Sequence, residues 1–414
     1  VRDDRAAAIT AARRGDAGAV DRCRRMLHRA PQDQELLLAL SEAELTSGDP
    51  QAGEALAAGV AADPSWVEGQ SALAALRWES GDTGGFTRGM EGALRRFPGD
   101  PGLWNAYIGA LAGSGNHLAA ANAAAAARAA GFQEPILRLI EAAHAGTAGH
   151  LDRAESLLAT IPDAMPEKPP NLVRHWIRKG ALPQASVLIE RLTAAQPGNL
   201  ALWALAELVW RAIGDPRASW LSGDPRFIGI LDLPLDSEAT ERLARLLRGL
   251  HAMRAQPIGQ SVRNGTQTRG RLFDRGEPGL HALRTILQDA VDAHLKALPP
   301  TEPGHPLLRH RDRAVRVAGG WSVRLGGSGH HVSHIHPAGI LSSATYIAVP
   351  DTDPGSRDGW LELGRPPADL RLDLAPLATI EPRVGRLVLF PSYLYHGTRP
   401  FRAGERLSVA FDAA

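Results

Sequence analysis

SHIHPAG (333–339), LSSATYIAVP (341–350), GRLVLFPSYLYHGTRPF (385–401) and GERLSVAF (404–411) decide how this chain is read. They hold three histidines of ligand type, His334, His336 and His396, and an arginine, Arg406, ten residues past the last of them. Around these, AVRVAGGWSVRLG, ATYIAVP, GWLELG, RLVLF and RLSVAF alternate or run apolar between Gly and Pro punctuation, which is strand patterning. No helical period interrupts the strands after residue 312. An antiparallel sandwich or small barrel is therefore predicted rather than a βαβ layout. Two helical stretches precede it, 236–253 with Leu243, Leu246, Leu247 and Leu250 on one side, and 280–297 with Leu283, Ile286, Leu287, Val291 and Leu295. Both are expected to pack outside the strands.

Side chains two apart on a strand share a face, so His334 and His336 point the same way, with His396 arriving from another strand. Three imidazoles suit iron, zinc or copper. Arg406 and Ser408 share a face by the same rule, and a buried guanidinium offers a two-point clamp for a carboxylate. Arg324, read with Trp321 and Val323, is a candidate to face the cavity. The polar stretch SVRNGTQTRG (261–270) offers Arg263, Asn264, Thr266 and Gln267 as candidates to line a substrate entrance. GGWSVRLGGSG (319–329) carries no nucleotide-binding pattern and reads as hairpin turns.

Upstream the sequence repeats itself. Gly15-Asp16, Gly48-Asp49, Gly81-Asp82, Gly115-Asn116 and Gly149-His150 recur at gaps of 33, 33, 34 and 34 residues, and Gly180 and Gly214 continue the series after a break of register. Each unit reads helix, Gly turn, helix, Pro-bounded connection. Such a helix pair cannot bury its own apolar face and must stack on neighbours. The region resembles tetratricopeptide repeats, with five to seven units and an irregular one around PDAMPEKPP (162–170). Its expected role is either a concave peptide-binding surface or a scaffold that braces or dimerises the rest. The predicted division is 1–225 repeat solenoid, 226–312 linker and supporting helices, and 313–414 strand core: an α+β chain in two parts.

Bulk composition sets limits. The chain has 414 residues, 46 basic and 45 acidic, for a net charge of +1, which argues against a nucleic-acid-binding surface. Cys23 is the single cysteine, so no internal disulfide forms and a cytoplasmic setting is expected. No run of 18 apolar residues occurs and the N-terminal stretch lacks a signal-like apolar segment, so no membrane association is expected.

Residues 255–414 resemble the double-stranded β-helix (cupin-like jelly roll) of iron(II)- and 2-oxoglutarate-dependent oxygenases, in their prolyl-hydroxylase-like branch. They are most similar to a bacterial group fused behind tetratricopeptide repeats. The resemblance implies Fe(II), 2-oxoglutarate and dioxygen as cofactors. It makes His334 and His396 iron ligands, Arg406 the holder of the distal carboxylate of 2-oxoglutarate with Ser408 beside it, and Tyr346 a further hydrogen bond to that carboxylate. Where the family carries an acid, this chain has His336. A three-histidine centre is the favoured reading; Glu362 or Asp351 completing the site, or His336 standing free of the metal, are the alternatives. Three neutral ligands would leave the centre one negative charge poorer. The implied activity is hydroxylation of a peptide or protein side chain recruited by the repeats. Oxidation of a small molecule, and a non-enzymatic adaptor, are the other readings.

Overall fold

The computed structural model describes residues 2–49, 51–269, 272–351, 353 and 355–414. Its N-terminal part is a run of helix pairs: α1 (Arg2–Arg14) with α2 (Ala19–Leu27), α3 (Gln34–Ser47) with α4 (Glu54–Ala62), and α5 (Val67–Glu79) with α6 (Arg88–Arg96). There follow α7 (Pro101–Gly113) with α8 (His117–Ala129), and α9 (Pro135–Thr147) with α10 (Leu151–Thr160). Then come α11 (Lys168–Arg178) with α12 (Leu182–Ala195), and α13 (Leu200–Ala212) with the short α14 (Arg217–Ser222). The glycine period marks the turn inside each pair. Gly15, Gly48, Gly81, Gly115, Gly149, Gly180 and Gly214 all take φ between 68° and 99°, a left-handed conformation that costs a residue with Cβ but not glycine. Asp100 shows how the next pair begins: its carboxylate accepts from the amides of Gly102 and Leu103, with Pro101 in the first turn.

The C-terminal part consists of antiparallel sheets. Strands β1 (Gly229–Asp232), β2 (Val262–Gln267), β3 (Val317–His331), β4 (Leu341–Ala348), β7 (Arg386–Pro391) and β9 (Arg406–Ala413) form one sheet in the order β1-β7-β4-β9-β3-β2. Strands β5 (Leu361–Leu363), β6 (Ala378–Ile380) and β8 (His396–Thr398) form the other, in the order β6-β5-β8. Along β9, Leu407, Val409 and Phe411 pack outward into the core shared with helices α15 (Ser237–Gly249) and α16 (Pro278–Ala297). Arg406, Ser408, Ala410 and Asp412 face inward. Both faces are covered, which is why the strands read as nearly unbroken apolar runs.

Three features depart from the sequence reading. The segment 226–312 is more than linker and helices, because β1 and β2 are the two edge strands of the large sheet. GGWSVRLGGSG is not a set of hairpin turns but part of the 15-residue strand β3. Gly320 serves close packing: a Cβ there would lie 2.3 Å from Cε2 of Phe273. Finally, Arg324 lies on the outer face with Ser322, opposite in parity to Trp321 and Val323, and pairs with Glu405 at 2.6 Å.

The last two helix pairs and the sheets share interior. Val173, Ile189, Leu205 and Val209 belong to the same buried cluster as Leu341, Leu387 and Leu407. The turn edge of the pairs is also stitched to the C-terminal part. The amides of Arg254 and Ala255 donate to the carbonyl of Glu79, Trp78 Nε1 to Gln256 O at 2.9 Å, and Gly259 N to Gly113 O at 3.0 Å. Arg269 meets the buried Glu79 carboxylate at 2.7 Å, and Arg178 meets Asp369 at 2.5 Å. No helix among the described residues is long and apolar enough to cross a membrane.

Candidate metal centre and buried anion site

His334 and His396 face each other across an isolated antiparallel bridge, with backbone N–H···O bonds of 3.0 and 2.9 Å in both directions. Directly paired residues send side chains to the same face, so their rings lie only 4.2 Å apart. β3 ends at His331, so no strand runs through His334–His336; the two rings nonetheless stay on one side, 4.9 Å apart. One ring nitrogen from each of His334, His336 and His396 lies within 4.8 Å of the others, and this is the set among the described residues that could hold a metal ion.

The hydrogen bonds fix which nitrogen is available. Nδ1 of His334 meets Val332 O at 2.9 Å and Nδ1 of His396 meets Leu394 O at 3.0 Å; carbonyls only accept, so both Nδ1 atoms carry the proton. Nδ1 of His336 meets Asp412 Oδ2 at 2.9 Å. Each ring thus leaves Nε2 unprotonated, the tautomer a divalent metal needs, with an acceptor behind Nδ1; the Nε2 of His334 has Ser261 Oγ 3.2 Å away. Burial pushes the His334 imidazole down to about 3, with His336 adding to the effect, and drives His396 well below its ordinary value, so both rings are neutral at pH 7. Glu362, an alternative third ligand, is turned to Arg365 at 3.0 Å, and Asp351 is exposed on a loop; neither joins the cluster.

The far end of the same cavity is cationic. Arg406 is 1 % exposed, donates to Gly359 O at 2.8 Å and Thr398 Oγ1 at 3.0 Å, and has no carboxylate partner among the described residues. Its Nε is buried without a hydrogen bond, and so is the hydroxyl of Tyr346. Glu405, beside it in sequence, is taken by Arg248 and Arg324. An unpaired buried guanidinium is costly, and burial lowers its pKa for that reason. A carboxylate between Arg406, Tyr346 and Ser408 would satisfy both orphaned groups. The residues therefore fit a metal at one end and a carboxylate at the other.

Several pocket residues were not among the sequence candidates. Thr398 carries the Arg406 bond and accepts from the amide of His331. Ser261 Oγ sits 3.0 Å from His331 Nδ1 and 3.2 Å from His334 Nε2. Trp321 stacks on His336 with ring centres 5.2 Å apart. Of the SVRNGTQTRG candidates, Gln267 lines this cavity and Arg263 an adjoining cleft. Thr266 instead points outward to His251 at 2.8 Å, and Asn264 is exposed at a bulge with φ of 53°.

Residues 319–412 match the family described as "Putative 2OG-Fe(II) oxygenase". That segment spans all three histidines, Tyr346, Arg406 and Ser408, and its cofactors are Fe(II) and 2-oxoglutarate. No curated protein matches the chain. Among solved structures, a prolyl-4-hydroxylase from Pseudomonas putida is similar at 16% identity and TM-score 0.33, covering 49% of this chain and 97% of that one. HygX from Streptomyces hygroscopicus with iron bound is similar at 14% identity and TM-score 0.30, covering 45% and 82%. PilW, a type IV pilus biogenesis factor, is similar at 18% identity and TM-score 0.35, covering 45% and 89%.

Proposed function

We propose that the chain is an Fe(II)- and 2-oxoglutarate-dependent oxygenase that hydroxylates a side chain of a peptide or protein. In this reading the paired sheets are a double-stranded β-helix and the helix pairs are tetratricopeptide repeats that position the substrate. The observation that carries it is the buried, acid-free Arg406, with Tyr346 unsatisfied beside it, in one cavity with three converging histidines.

His334, His336 and His396 would hold the iron through Nε2, and Arg406, Tyr346 and Ser408 the distal carboxylate of 2-oxoglutarate. The chemistry that iron, 2-oxoglutarate and dioxygen supply when bound is oxidation of an unactivated C–H bond. The chain's own work is orientation and exclusion of water. Arg406 neutralises one carboxylate and fixes its direction toward the histidines. Trp321, Phe390 and Leu361 give the cavity dry walls, in which those charge contacts are strong.

Replacing Arg406 tests this directly. Charge-assisted hydrogen bonds contribute about 1.5–3 kcal/mol, so Arg406→Ala is expected to weaken 2-oxoglutarate binding about 10- to 100-fold. Calorimetric titration of the anaerobic iron-loaded protein reads that change; an unaltered affinity removes the assigned role.

A further inference from the structure

A cleft of about 530 Å³ separates the sheet domain from the fourth helix pair. Ala112, Gly113 and His117 of that pair line one wall, and Arg263, Val332 and Ile335 line the other. The inner cavity adjoins it, since both are lined by Ser261, His334, His336 and Asp412. The cleft thus reaches His334 and His336, and its size is that of a ligand site rather than a gap.

Its charge is unbalanced. Arg263 donates through Nη1 to the carbonyls of Gln260 and Val262, both at 2.8 Å, and meets no carboxylate among the described residues. The acids nearby are committed: Asp369 to Arg178, and Asp412 to His336 and Ser342. His117 stacks on His144, their Nδ1 atoms 3.3 Å apart, and burial lowers the proton affinity of both rings; an imidazole is neutral or cationic, so neither offsets Arg263. With iron and 2-oxoglutarate bound, the dication and Arg406 are balanced by the two carboxylates of 2-oxoglutarate and that of Asp412. Arg263 is left over.

We infer that the cleft binds an acidic peptide segment, one carboxylate of which pairs with Arg263 while the fourth helix pair forms the opposite wall. The inference rests on the oxygenase reading for its charge balance. It gives the repeats a part in the site itself, because without the α7–α8 turn the cleft has one wall.

Fluorescein-labelled decapeptides (Glu-Ala)5, (Gln-Ala)5 and (Lys-Ala)5, titrated by anisotropy against the full chain loaded anaerobically with Fe(II) and 2-oxoglutarate, test it. Wild type and variants are first matched for bound iron and 2-oxoglutarate. The Glu peptide is expected to bind at least about 10-fold more tightly than the Gln peptide. Arg263→Gln should erase that preference and Arg263→Lys keep part of it. Ala338→Trp, a change at an exposed rim position, should weaken the Glu peptide by narrowing the mouth. Equal binding of Glu and Gln peptides, no binding of the Glu peptide, or indifference to Arg263→Gln overturns the inference. Competition by N-acetylglutamate amide as strong as that by the peptide also overturns it, in favour of a small acid. A protein that takes up neither iron nor 2-oxoglutarate, yet binds the Glu peptide through Arg263, would separate failure of the oxygenase reading from failure of this one.

Discussion

His336 occupies the position where the resembling family carries an acid, and the structure shows what stands behind it. Asp412 lies 2.9 Å from its Nδ1, and Ser342 Oγ donates to the other carboxylate oxygen at 2.9 Å. The negative charge expected to be lacking is therefore present, one residue removed from the metal position. A carboxylate behind an imidazole fixes its tautomer and raises its basicity toward a metal. Asp412→Asn is accordingly expected to lower iron affinity about 10- to 100-fold, read by competition with a chromophoric chelator; affinity equal to wild type would reduce Asp412 to a structural contact. The three histidines and the Arg406–Ser408 pair stand out in the sequence by their spacing, although no strand runs through His334–His336, and Tyr346 enters only through the family resemblance. Asp412 and Thr398 were also within reach, since Asp412 continues the inward parity of Arg406 and Ser408, and Thr398 that of His396. Ser261 was not, because it comes from a segment without periodicity, brought to the site by the pairing of β2 with β3. Arg324 failed by one residue of parity.

Among the elements, the long strands and the helices announced themselves because burial imposes a clear period on them. The three-residue strands β6 and β8 are too short to show one, whereas GWLELG carries the pattern of β5 and AVRVAGGWSVRLG that of the first part of β3; only the glycine-rich remainder of β3 reads as turns. Gly320 pairs with Phe411 on β9 and leaves room for the Phe273 ring above it. Gly320→Val is expected to destabilise the protein by about 1–3 kcal/mol through overpacking. Gly326→Ala, where a Cβ meets nothing within 4 Å, should change little by comparison. Urea unfolding of the two variants checks the pair; equal stabilities would contradict the packing role of Gly320. The repeat turns needed no such correction, because each left-handed glycine sits at the period read from the sequence.

On the scale of the whole molecule, the last two helix pairs and the sheets share one buried core, and no local pattern could have revealed that. Buried histidines away from the metal site give the protein an acid limit. Burial pushes His251 and His294 down to about 4. Their folded-state values lie below the unfolded one, so the stability they support is intact above about pH 6.5 and is lost as pH falls toward 4. For a fully buried ring the slope approaches about 1.4 kcal/mol per pH unit. Metal-free protein should therefore unfold at lower urea at pH 5 than at pH 7.5, and His294→Gln should flatten that dependence. A pH-independent midpoint across this range would contradict it.

The central claim is that three histidines and Arg406 bind iron and 2-oxoglutarate together. Anaerobic addition of 2-oxoglutarate to the Fe(II)-loaded protein, followed by visible absorption, tests it most directly. The account predicts a charge-transfer band that saturates at one iron per chain, disappears in His334→Ala, and needs far more 2-oxoglutarate in Arg406→Ala. Absence of the band in wild-type protein that has taken up iron, or a band indifferent to Arg406, would contradict it.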